Sequence, residues 1–260
     1  MSPRTAALGG AGHAGPILND AIYMNPSYAA FTPSYGLEAN YLYYNSPAAP
    51  DGSEDYHGHL TNFSVQDGRN PLFQAGVGYS LRDQGKLLNI GAAKAAIQQL
   101  GFGIGGKFYF PNSGSGFADT IVSTTFVATS WLQVAAIVDN AVQSSNAVAQ
   151  GFYRQYILGT KLNVKSIMLI YADPHLTPNA PNQPMYGYET GVELTPFNDL
   201  FFRGGLFRNS ATPELNNLYG RGYGFGFGWL GPRISLDYGL RHVVNPVQVV
   251  SHNFGVTIFF

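Results

Sequence analysis

The stretch Tyr219-Gly220-Arg221-Gly222-Tyr223-Gly224-Phe225-Gly226-Phe227-Gly228-Trp229 alternates without a break. Every second residue is large and, Arg221 apart, aromatic; every residue between is glycine. A period of two marks a strand whose two faces meet different surroundings. One face here is bulky and apolar, and the other carries no side chain at all. Neighbouring segments repeat the pattern: Ile234, Leu236, Tyr238 and Leu240 alternate with Arg233, Ser235, Asp237, Gly239 and Arg241. Tyr188, Val192 and Leu194 likewise oppose Glu189, Gly191 and Glu193.

Fourteen such segments are expected, at roughly 35–45, 55–66, 72–82, 88–97, 100–110, 119–128, 131–140, 152–161, 165–173, 185–195, 199–208, 219–229, 232–241 and 248–260. The fourth, with Lys94 among alanines, is also compatible with a short helix. The connections between them alternate in length, 9, 5, 8, 11, 11, 10 and 6 residues against 5, 2, 2, 3, 3 and 2. Outer-membrane barrels have long outer loops and short periplasmic turns, and an even strand number brings both chain ends to the periplasmic side. The expected fold is therefore all-β, a transmembrane antiparallel up-and-down β-barrel over residues 35–260, preceded by a segment 1–34.

Composition excludes the rivals. Charged residues are 11% of the 260, against about 25% in ordinary soluble domains. Mean hydropathy is −0.04, and the longest apolar run, Ile167 to Ala172, falls far short of the roughly 18 residues a membrane helix needs. The 14 basic and 15 acidic residues form no basic cluster, so nucleic acid is not an expected partner. With no cysteine there are no disulfides and no thiolate chemistry. Met1-Ser2-Pro3-Arg4 leads into small residues without an apolar leader. The expected location is the bacterial outer membrane, as a mature chain whose signal peptide has been removed.

Fourteen tilted strands close into a cylinder roughly 28 Å across, too wide for its own side chains to fill. One face carries rows of glycine: 220, 222, 224, 226 and 228, then 101, 103 and 105, then 76 and 78. Such rows mark close backbone approach, and residues 1–34 are the available partner, an internal hatch. The inward parity also carries charges of both signs. Glu189, Glu193, Arg203, Arg233, Asp237 and Arg241, with Glu38, Lys107, Asp139 and Lys161, are expected to pair as a lumen network.

Nothing in the pattern is catalytic, and no cofactor or metal is called for. Gly10-x-Gly12-x-x-Gly15 and Gly101-x-Gly103-x-x-Gly106 match a dinucleotide fingerprint in letters only, because neither stands between a strand and a helix. His57, His59, His242 and His252 fall near the outer rim, where an interface girdle is expected.

Ala6-Ala7-Leu8-Gly9-Gly10-Ala11-Gly12, followed by Asn19-Asp20-Ala21-Ile22-Tyr23-Met24-Asn25-Pro26-Ser27, resembles the mature start of FadL-type outer-membrane transporters and their PorV-like relatives. Asp199-Leu200-Phe201-Phe202-Arg203-Gly204-Gly205 and the closing patterns 233–242 and 251–260 are similar to that superfamily too. The resemblance implies a 14-stranded barrel with an N-terminal hatch carrying an Asn-Pro-Ala turn. Asn25 and Pro26 match that turn, and Ser27 stands where Ala is usual. The terminal alternation Phe254, Val256, Ile258, Phe260 resembles the signal read by the barrel-assembly machinery.

The resemblance implies passive transport of a hydrophobic small molecule. The path would then include Tyr23, Met24, Asn25 and Pro26 on the hatch, with Leu42, Tyr44, Tyr109, Phe201 and Phe207 on the wall. The alternative is a non-transporting PorV-like partner that anchors a protein in a surface or secretion complex. Short outer connections, with 174–184 and 209–218 polar, raise the alternative, but short loops also offer little of the roughly 800 Å² per side that a stable protein interface needs, so transport is the expected function. The expected partners are outer-membrane lipid, the barrel-assembly machinery, and either a hydrophobic small molecule or a surface or secretion protein.

Overall fold

The computed structural model describes residues 1–17, 19–48, 54–180 and 184–260. The connections 46–54 and 174–184 therefore lie partly outside the described residues. Fourteen antiparallel strands form one closed ring. They are β1 (Tyr35–Ala48), β2 (Glu54–Asp67), β3 (Gln74–Arg82), β4 (Gly85–Ile97), β5 (Leu100–Pro111), β6 (Phe117–Val127) and β7 (Leu132–Asp139), then β8 (Gln155–Val164), β9 (Met168–Leu176), β10 (Tyr186–Phe197), β11 (Leu200–Thr212), β12 (Leu218–Leu230), β13 (Ile234–Asn245) and β14 (Val249–Phe259). Each strand pairs with the next, and β14 closes on β1 with Leu37 opposite Ile258 and Tyr41 opposite Phe254. Closure leaves no edge, so every wall amide can be paired without water. The segment around Lys94 is a strand, held by β3 on one side and β5 on the other.

Outward residues such as Leu206, Phe225, Phe227, Phe254 and Val256 are exposed all round the ring. Continuous apolar surface of this extent is stable only against lipid. Among the described residues no helix is long and apolar enough to cross a membrane. The closed ring with its apolar outer face has the architecture of an outer-membrane barrel. On β14, Phe254, Val256 and Ile258 belong to this belt, and the exposed Phe260 ring meets the edge of Tyr35 at 5.7 Å.

Two features depart from strict alternation. At the outer end the strands run on past the expected boundaries, to Ala48, Thr212 and Asn245, so several outer connections are shorter than expected. Asn209 forms a bulge (φ 55°), where the register passes from Arg208↔Arg221 to Ser210↔Gly220. One extra residue reverses the facing beyond it. On the facing strand, Tyr219, expected outward with the aromatics of β12, is buried, with its ring 6.1 Å from Tyr153 and its hydroxyl 3.4 Å from Gln155 Nε2. The chain then makes a 3-10 turn, Pro213–Leu215, that drops into the lumen, with Glu214 and Leu215 buried. The 209–218 connection is thus not the exposed polar loop its composition suggests.

Candidate functional site

The described residues of the segment before β1 pack against the inward face of the ring. They begin with the five-residue helix α1 (Pro3–Ala7), started by the Ser2 hydroxyl accepting from Thr5 N at 3.2 Å and by proline in the first turn. Gly9, Gly10 and Gly12 follow with φ of 68°, 99° and 120°, conformations open to glycine, and turn the chain along the wall. Helix α2 (Asp20–Met24) and a 3-10 turn (Pro26–Phe31) complete the segment.

The segment contacts the wall on both sides of the lumen: residues 3–15 run from β14 back to β8, and residues 19–27 run from β1 and β2 to β5. Pro3 packs on Gly239 of β13 and Gly255 of β14, Ala6 on Gly224 of β12, and Leu8 on Gly205 and Gly191 of β11 and β10. His13 meets Gly159 of β8, Ser27 meets Gly103 of β5, and Ile22 and Tyr23 meet Gly76 and Gly78 of β3. A Cβ at Gly224 would overlap the Ala6 carbonyl, and one at Gly103 would overlap the Ser27 amide. The glycine row of β12 is divided, however. Gly220 and Gly222 abut the β13 backbone, and Gly228 abuts the Arg203 and Asp237 side chains.

Directional bonds fix the segment at three places. Asp173 Oδ2 accepts from Gly12 N at 2.7 Å and His13 N at 2.9 Å, and lies 2.9 Å from His13 Nδ1. Its other oxygen accepts from Thr160 N at 3.3 Å, where the β8–β9 ladder skips from Ile157↔His175 to Thr160↔Ala172. Burial alone would lower the His13 pKa, but the Asp173 carboxylate outweighs it and raises the value above the ordinary 6.5. Arg4 donates through Nε to Glu193 at 3.0 Å and through Nη2 to the Tyr171 hydroxyl at 2.6 Å. Asn25 donates to the His13 carbonyl at 2.7 Å and to Thr125 Oγ1 at 2.8 Å, and Ser27 Oγ donates to Asn25 Oδ1 at 2.6 Å. The hydroxyl at position 27, absent from the usual alanine, is therefore part of the fastening.

The inward charges form separate groups rather than one network. Glu193 accepts from both Arg4 and Arg203, and Arg203 also bonds Asp237. Arg241 donates to Glu214 at 2.9 Å and lies 4.0 Å over the Phe207 ring, while Glu189 pairs with His175 at 3.0 Å. Arg233 belongs to none of these. It is exposed in the turn between β12 and β13, because strand parity does not extend into a turn. Arg4, Asp173, His175 and Glu214 were not singled out from the sequence. Asp173 and His175 share the inward parity of β9 and were readable on that ground, whereas Arg4 and Glu214 lie outside any strand.

Above the segment, toward the outer side, two apolar clusters fill the lumen. One joins Leu42, Tyr44, Leu60 and Phe207 with Val243 and the inward-turned Leu215. The other stacks Tyr109, Phe117 and Phe152 with centroids 4.9–5.5 Å apart, closed by Ala147 of helix α3 (Ser145–Ala149). Below the segment, at the periplasmic end, lies a cavity of about 370 Å³ lined by Ile17, Phe201, Leu230, Pro232 and Phe259 beside Arg203 and Asp237. Of the residues singled out for a path, Leu42, Tyr44 and Phe207 meet in the first outer cluster, Tyr109 is in the second, and Phe201 lines the lower cavity. Tyr23, Met24, Asn25 and Pro26 are packed in the segment itself, with the Tyr23 hydroxyl donating to Asn62 at 2.8 Å and Met24 Sδ accepting from Thr5.

No family model and no curated protein matches the sequence. Solved structures do match along the whole chain. CymD, a monoaromatic hydrocarbon channel, superposes with a TM-score of 0.72 at 12% identity, covering 100% of this chain and 97% of its own. The fold is that of the FadL-type channels. The toluene transporter TbuX of Ralstonia pickettii gives 0.65 at 12% identity, with 100% and 97% covered, and a Pseudomonas aeruginosa FadL homologue gives 0.62 at 10%, with 100% and 98% covered. Of these, CymD is a channel and TbuX a transporter.

Proposed function

We infer that this FadL-type barrel passes small hydrophobic molecules across the outer membrane without an energy source, with residues 1–34 as the hatch and 35–260 as the wall. One observation carries the reading. The interior on the outer side of the hatch is packed with apolar side chains (Leu42, Tyr44, Leu60, Phe207 and Leu215 in one cluster), where a diffusion porin keeps a polar, water-filled lumen. A hydrophobic solute can exchange places with such side chains at little desolvation cost, whereas an ion cannot.

On this reading Leu42, Tyr44, Phe207 and Tyr109 receive the solute. The hatch residues Tyr23, Met24, Asn25 and Pro26 gate it, and Phe201 lines the release cavity. The bias toward monoaromatic compounds rests on what the CymD, TodX and TbuX descriptions say of those proteins. The anchoring alternative rests on the sequence resemblance alone.

The test is toluene uptake into lipid vesicles carrying the full chain, beside glucose as a polar solute. Toluene entry faster than into protein-free vesicles, with glucose entry unchanged, is the expected result. Toluene entry equal to that of protein-free vesicles would end the transport reading.

A further inference from the structure

We propose that Arg208 and Arg221 form a site on the outer wall for the phosphate of a phosphorylated glycolipid in the outer leaflet. The two residues are directly opposed on β11 and β12, and both point outward and are exposed. Like charges directly opposite on adjacent strands destabilise a sheet. Among the described residues neither guanidinium has a carboxylate partner. Arg69, at the other end of the barrel, shows the contrast: it lies 3.9 Å from Asp67 and stacks on Tyr35 at 5.3 Å.

Height places the pair at a headgroup. Between Leu200↔Trp229 near the periplasmic turn and Arg208↔Arg221, the outward positions carry Phe202, Leu206, Tyr223, Phe225 and Phe227. Eight residues at 3.3 Å each, tilted by about 40°, rise roughly 20 Å, close to the ~25 Å height of a barrel's apolar band. The guanidiniums therefore emerge where acyl chains end and anionic headgroups begin.

The surroundings are ordered. Tyr188 stands opposite Arg208 on β10, and the Tyr223 hydroxyl, one pleat below Arg221, lies 2.8 Å from His242 Nδ1. Two guanidinium forks side by side match the oxygens of one phosphate and relieve their mutual repulsion when it binds. The assignment does not depend on what passes through the lumen.

The experiment is native mass spectrometry of the full chain after exchange into detergent containing either a bis-phosphorylated lipid A-type glycolipid or its dephosphorylated form. The variants are R208Q, the double variant R208Q/R221Q, and R233Q/K165Q, which removes two exposed periplasmic-end charges. Heat-modifiable gel migration reports folding for each. The phosphorylated lipid should stay bound to the wild type and the control, and fall roughly tenfold with R208Q and further with the double variant. Equal retention by the double variant, equal retention of the dephosphorylated lipid, or an equal loss in the control would each overturn the site. Competition by millimolar inorganic phosphate to the same depth would assign the pair to a free anion instead, and would overturn the lipid proposal.

Discussion

The two halves of the lumen are filled by opposite means. The outer half is closed by side chains, with Leu215 and Ala147 on inward-turned connections capping clusters built from Leu42, Phe207, Tyr109 and Phe117. The inner half is closed by backbone, with residues 1–34 laid on wall glycines and fastened through Arg4, Asp173 and Asn25. Packing of the first kind is non-directional and tolerates replacement by another apolar body. Closure of the second kind is directional and unforgiving, since a missing partner leaves a buried polar group unpaired. On the proposed reading, a barrel built this way has a soft upper plug and a stiff lower one.

Changes at the stiff plug should cost most. Arg4→Met leaves Glu193, Arg203 and Asp237 short of one positive charge in a buried site, and should weaken hatch docking by about 4 kcal/mol. Hydrogen exchange of residues 1–34 should accelerate while the strands stay protected, and unchanged exchange would erase the distinction between the halves. Gly205→Val sets a side chain against the Leu8 carbonyl, and should cost about 3 kcal/mol because the backbone there cannot yield. Added ion conductance in planar bilayers is the expected readout.

The soft plug should respond differently. Leu42→Ala removes part of the outer cluster at a cost of about 2 kcal/mol. It should raise toluene uptake and leave ion conductance untouched, because the hatch remains seated. A rise in both would mean that the two halves act as one barrier.

The smallest effect concerns pH. The His13 pKa is raised above 6.5 beside Asp173, so the pair stabilises the docked hatch fully below that value and loses its contribution as pH rises through the raised one. Protection factors at Gly12 and His13, taken relative to the intrinsic exchange rate at each pH, should fall on that rise, and His13→Gln should flatten the profile. Protection that grows with pH would reverse the assignment.

The barrel was legible because lipid and lumen impose a period of two on every strand, as from Tyr223 to Trp229. The contact of the N-terminal residues with the wall was partly legible in the glycines of β3, β5 and β12. What the pattern could not carry was set by single residues or by distant partners. Tyr219 is buried against the parity of its own strand beside the β11 bulge at Asn209, and a turn places Arg233 outside the lumen. Glu214 is drawn in by Arg241 and Ser251, 27 and 37 residues further along the chain. A local alternation reports facing only as far as the next bulge or turn, and pairing between charges is fixed by the closed ring rather than by spacing along the chain.

The central claim is that residues 1–34 seal the lumen against ions, and single-channel recording in planar bilayers tests it most directly. The full chain should be electrically silent and Gly205→Val should open in steps. Steps of equal size and frequency from both proteins would contradict the account.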